Sequence, residues 1–127
     1  MSVTNPFQFT AEIKMPNGTG GQNGGFQVPA GKRLVIEYAS GEAFAPTGQK
    51  CLFSVLTSLA GQSVSTRHYL ESTPLGKFGA QDYFRAGQVV RLYADPGTVV
   101  TLRIDRDLAT GDALARMSIS GELVAVP

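Results

Sequence analysis

Apolar and polar residues alternate along most of this chain. From Phe7 to Met15 the side chains of Phe7, Phe9, Ala11, Ile13 and Met15 take every second position. A period of two with one apolar face marks a half-buried strand. The pattern returns after the turn Val28-Pro29-Ala30-Gly31, where Leu34, Ile36 and Tyr38 share a face. It returns again over residues 63–71, with Val64, Thr66, His68 and Leu70 on one side and Ser65, Arg67, Tyr69 and Glu71 on the other. Its fullest expression is the stretch 88–119. There Val90, Leu92 and Ala94 alternate with Val89, Arg91 and Tyr93, and Val100, Leu102 and Ile104 alternate with Val99, Thr101 and Arg103. Residues 50–59 read as a buried strand, since Cys, Phe, Val and Thr there favour extended backbone over helix. Residues 78–85 form a short strand or extended segment. Residues 113–126 make a last long strand, with Gly121 marking the place for a bulge.

Turn chemistry separates these runs. Asp95-Pro96-Gly97-Thr98 fits a type II turn, with Pro fixing φ at the second position and Gly accepting φ > 0 at the third. Such a turn splays right-twisted strands. A two-residue loop here would also pair Leu92 with Thr101 and mix the two faces. The corner is therefore either a wider hairpin or an arch from one sheet to another. Residues 17–25 hold five Gly in nine positions and read as a flexible loop. They lack both G-K-[ST] and the G-x-G-x-x-G spacing of a phosphate cradle. Residues 41–49, with Pro46 and Gly48, and the segment around Pro74 and Gly76 also read as loops. Eight or nine short strands joined by Gly/Pro turns, with no convincing helix, predict an all-β, single-domain antiparallel β-sandwich of jelly-roll type.

Composition narrows the function classes. At 127 residues the chain makes one domain, residues 1–127. Eleven basic against ten acidic residues give a net charge of +1, without the basic stripe expected of a nucleic-acid binder. No run approaches the ~20 apolar residues of a membrane helix. The first residues have neither a basic start nor an apolar core, so no signal peptide is read here, and secretion would require a leader upstream. Cys51 is the only cysteine, which excludes an internal disulfide and a thiolate metal site. No cofactor is expected.

Two turn-and-strand motifs, V-P-A-G-K-R-L-V-I-E-Y over 28–38 and V-R-L-Y-A-D-P-G-T over 90–98, resemble a group of small bacterial β-sandwich proteins. The similarity is close in those motifs and looser across residues 26–124. It implies the sandwich fold and carries no activity and no catalytic residue.

Candidate chemistry is sparse. His68 is the only histidine and shares a face with Val64 and Leu70, which suits a satisfied, partly buried ring. A Cys51–His68 pair would need neighbouring strands, and no nucleophile motif surrounds Cys51. Asp105, Asp107 and Asp112 surround a Gly-containing turn that could offer oxygens to calcium. Arg103 and Arg106 beside them favour a salt-bridged hairpin instead. The foremost binding candidates are Arg67, Tyr69, Arg91 and Tyr93, polar-aromatic pairs on outer faces, with Tyr83 and Arg85 close in sequence. Tyr and Arg together suit binding surfaces and sugars. The expected function is a non-enzymatic binding module for a carbohydrate or a protein surface, self-associating as a homo-oligomer through a sheet face. The alternatives are a structural subunit of a larger assembly and a glycoside-active enzyme using paired carboxylates.

Overall fold

The computed structural model describes residues 5–127. Nine strands follow one another: β1 (Asn5–Met15), β2 (Gly21–Gln27), β3 (Lys32–Pro46), β4 (Cys51–Thr57), β5 (Thr66–Leu70), β6 (Ser72–Phe78), β7 (Gln81–Ala94), β8 (Val99–Arg106) and β9 (Ala113–Ala125). They form two antiparallel sheets, ordered β1-β9-β3-β7-β6 and β2-β8-β4-β5. With β6 set aside as an added edge strand, four strands face four in the interleaved order of a jelly roll. The all-β sandwich expected from the alternation is the fold observed.

The core lies between the sheets and takes large side chains from both, with Ile13, Met15, Leu34, Ile36, Met117 and Ile119 on the five-stranded one, whereas its alanines come from that sheet alone. The five-stranded sheet contributes many alanines, among them Ala39, Ala43, Ala45, Ala86, Ala94, Ala113 and Ala115, all buried. The four-stranded sheet answers with Phe53, Val55, Val100, Leu102 and Ile104, each at most 1% exposed. Small residues opposite large ones let the layers interdigitate at close packing. Phe53 shows this most sharply. Its ring fills the space over Gly41, where a Cβ would approach ring carbons to 2.7 and 2.8 Å.

The corner between β7 and β8 is an arch, because those strands belong to different sheets. Thr98 N donates to Asp95 O at 3.1 Å and Gly97 has φ 77°, as a type II turn requires. The buried Asp95 carboxylate locks the arch. It accepts from Ala60 N at 2.6 Å and from Arg33 Nε at 2.7 Å. Those bonds hold its pKa below the ordinary carboxylate value, the backbone donor first and the guanidinium second.

Several expectations are corrected. The glycine-rich loop 17–25 is strand from Gly21 onward, paired with β8 from Gly21↔Asp105 to Gln27↔Val99. Glycine is needed there because a Cβ on Gly24 would lie 2.5 Å from Ala11 Cβ. Residues 41–46 continue β3, held by pairing with Gln81–Ala86 of β7. Pro74 and Gly76 lie inside β6, an edge strand whose register shifts between Pro74 and Lys77. An edge is the place that tolerates a missing N–H. Val64 precedes β5 and is 76% exposed, so it does not share the inward face of His68 and Leu70.

The correction that matters most for function concerns Tyr38. Alternation groups it with Leu34 and Ile36, yet β3 bulges between Ile36 and Tyr38. Ile36 pairs with Gly121 and Tyr38 with Ser120, so Glu37 is an extra residue. An extra residue reverses the phase of everything beyond it. Ile36 and Ala39 therefore point inward, and Tyr38 is 43% exposed on the outer face. Gly121 permits the bulge, since a Cβ there would collide with the Val35 carbonyl oxygen.

Candidate functional site

The outer face of the five-stranded sheet carries a groove of about 700 Å³. Cross-strand register assigns its floor to rows of residues about 7 Å apart, two positions along each strand. The middle row is small and hydroxylated, running Thr10, Ser118, Ser40 and Gly87 across β1, β9, β3 and β7. Thr10 Oγ1 and Ser118 Oγ lie 2.8 Å apart and share a hydrogen bond. Tyr38 bounds the row on one side. Its hydroxyl lies over Gly87, where an added Cβ would sit 2.6 Å from that oxygen. Absence of a side chain at Gly87 thus lets the ring lie along the sheet.

On the other side runs a charge ladder, Glu12, Arg116, Glu42 and Arg85, alternating in sign across the same strands. Arg116 pairs with Glu12 at 3.3 Å and with Glu42 at 3.5 Å. Tyr83 donates its hydroxyl to Glu42 Oε1 at 2.7 Å, and that bond raises the tyrosine pKa. Arg85 forms no ion pair among the described residues. Beyond the ladder, Phe44 stacks on Tyr83 at 4.5 Å, and Phe78 meets Tyr83 edge-on at 5.1 Å. Glu71, Thr73 and Leu75, from the β5–β6 junction and β6, complete the wall.

The residues singled out from sequence fall in other places. Arg67 and Tyr69 lie on β5 of the four-stranded sheet, and Arg91 and Tyr93 on β7 of the five-stranded one. The two pairs occupy opposite outer faces and form no common site. Each arginine sits over its own strand's tyrosine at 5.8 Å. Arg91 Nε also donates to Tyr93 Oη at 2.6 Å. Arg67 is drawn toward Ser54 Oγ at 3.4 Å and Asp105 at 3.9 Å.

The three aspartates considered for calcium are also dispersed. Asp105 takes both its oxygens to Arg103 Nε at 3.1 Å. Asp107 accepts from Lys50 N at 2.7 Å, and Asp112 accepts from Asn17 N at 3.0 Å. No cluster of three His, Cys, Asp or Glu suited to a metal occurs among the described residues. Arg106 pairs with none of these acids. It is 7% exposed and donates to the carbonyls of Met15, Pro16, Thr19, Thr110 and Gly111 and to Gln49 Oε1. One guanidinium thereby closes one end of the sandwich.

Cys51 and His68 stand apart. His68 pairs with Val55, four residues along β4 from Cys51. His68 Nε2 is 3.1 Å from Thr57 Oγ1, and burial lowers its pKa. Burial pushes the Cys51 thiol up to about 11, against the opposing pull of Arg106, so it is a poor nucleophile near neutral pH.

Sequence reasoning missed Tyr38, Glu42 and Arg116 as groove residues. The available signal was Gly121. A glycine at an inward position of a long strand implies a close backbone approach by a neighbour, and that neighbour is the β3 bulge. The sequence matches no protein-family model and no curated protein.

Proposed function

We propose that this chain is a non-catalytic binding module that takes a carbohydrate in the groove on its five-stranded sheet. The observation that carries this reading is Tyr38, turned outward by the bulge and laid beside a row of hydroxyl-bearing and glycine residues. A sugar ring presents an apolar C–H face and a rim of hydroxyls. Tyr38 offers a matching apolar surface. Ser40, Ser118 and Thr10 offer hydroxyls, and Glu42, Glu71 and Arg85 offer charged acceptors and donors at the walls. A few convergent polar groups around an apolar contact are the usual composition of a small-ligand site.

The test is thermal unfolding against a panel of mono- and oligosaccharides. A ligand at ten times its dissociation constant stabilises by about 1.4 kcal/mol, a shift of roughly 3–6 °C for a domain of this size. Tyr38→Ala should abolish the shift, while Tyr69→Ala on the opposite sheet should leave it. Absence of any shift would favour the structural-subunit reading.

One observation favours a second reading. Glu42 and Glu71 line the same groove, and two carboxylates flanking a bound sugar can hydrolyse a glycosidic bond. Release of reducing ends from a bound oligosaccharide, lost in Glu71→Gln, would establish it.

A further inference from the structure

We propose that the saccharide is acidic, a uronate-containing chain whose carboxylate is received by Arg85. The inference rests on the carbohydrate reading above and concerns the electrostatics of the same groove. In an alternating ladder each inner charge should be shared between neighbours, and Glu42 is flanked in register by Arg116 and Arg85. Glu42 nevertheless spends its oxygens on partners other than Arg85, Oε1 on the Tyr83 hydroxyl and Oε2 on Arg116. Arg116 in turn is held between two acids. Arg85 is left exposed at the groove wall, without an ion pair among the described residues.

A guanidinium presents a planar fork of donors that fits a carboxylate with two parallel bonds. The cross-strand neighbour on its other side is Thr73, a neutral hydroxyl on the edge strand β6, so its register partner there does not compete for the fork. Glu71, on the rim, has no carboxylate hydrogen bond or ion pair among the described residues. It repels a carboxylate in its own vicinity and accepts from sugar hydroxyls, which fixes the direction in which an acidic chain lies. A uronate supplies both partners, the acid for Arg85 and hydroxyls for Glu71.

The experiment is calorimetric titration of the full chain with oligomers of galacturonate, glucuronate, mannuronate and guluronate, each beside its neutral methyl ester. At least one acid should bind about tenfold more tightly than its ester, which corresponds to about 1.4 kcal/mol. Arg85→Gln should erase that preference while the ester still binds. Arg85→Lys, which keeps charge without the fork, should restore part of it. Arg67→Gln, on the opposite sheet, should change nothing. Equal binding of acid and ester, both lost in Tyr38→Ala, would overturn the acidic ligand and leave the carbohydrate reading standing. A preference for sulfated over carboxylated chains would likewise overturn it. No binding of any oligomer would overturn the acidic ligand, and a shift with a neutral saccharide in the thermal panel would then keep the carbohydrate reading.

Discussion

Two glycines on the five-stranded sheet do different work, and substitution separates them. At Gly121 the obstacle to a side chain is the Val35 backbone, which cannot step aside. Gly121→Ala should cost on the order of 2 kcal/mol, read as a lower urea midpoint with an unchanged slope. At Gly87 the obstacle is the far end of the flexible Tyr38 side chain. Gly87→Ala should therefore leave the melting temperature nearly unchanged and weaken saccharide binding by displacing the ring. His68 adds a pH effect at this scale. Its folded pKa lies below the unfolded 6.5 because burial disfavours the charged ring. The unfolded chain binds the proton first, so stability is full above about 6.5 and declines as pH falls below it. His68→Gln should flatten the melting-temperature profile between pH 7 and pH 5.

At the scale of the strand, the arch between β7 and β8 gives the acid limb of the pH dependence. The Asp95 pKa is depressed from 3.8, so its contribution is present above that value and is lost as pH falls through the lower folded one. Asp95→Asn should remove this acid-dependent loss and lower stability at neutral pH. The turn type was legible because Pro96 and Gly97 name it, and face-mixing argued against a tight hairpin, but a wider hairpin and an arch stayed open until β7 and β8 were seen to lie in different sheets. What alternation could not show was phase. A one-residue bulge leaves each half of β3 looking regular, so Tyr38 reads as core until its pairing with Ser120 is known. The glycines of β2 misled for a related reason. They look like loop punctuation, yet at Gly24 glycine answers the close approach of Ala11. The Arg67–Tyr69 and Arg91–Tyr93 pairs were correctly expected to face outward. Sequence spacing alone does not tell which sheet owns each outer face, and here the sheets differ.

The whole molecule depends on two devices that span both sheets. Phe53→Ala would empty the space over Gly41 and should cost about 3–5 kcal/mol. Arg106→Lys would keep the charge at the closed end but lose the planar set of donors to five carbonyls and Gln49. A loss on the order of 3 kcal/mol is expected from leaving buried carbonyls unpaired, measured by chemical denaturation. The pairing of the first strand with the last has a further consequence. Asn5 and Leu123 are register partners, so the first strand begins beside the closing residues of the last. A short linker could join them, with new termini opened at Val64, exposed in the connection between β4 and β5. Such a circular permutant should fold with the same groove, and this domain is suited to insertion within a loop of another protein, where both connections would leave from one edge of the sheet.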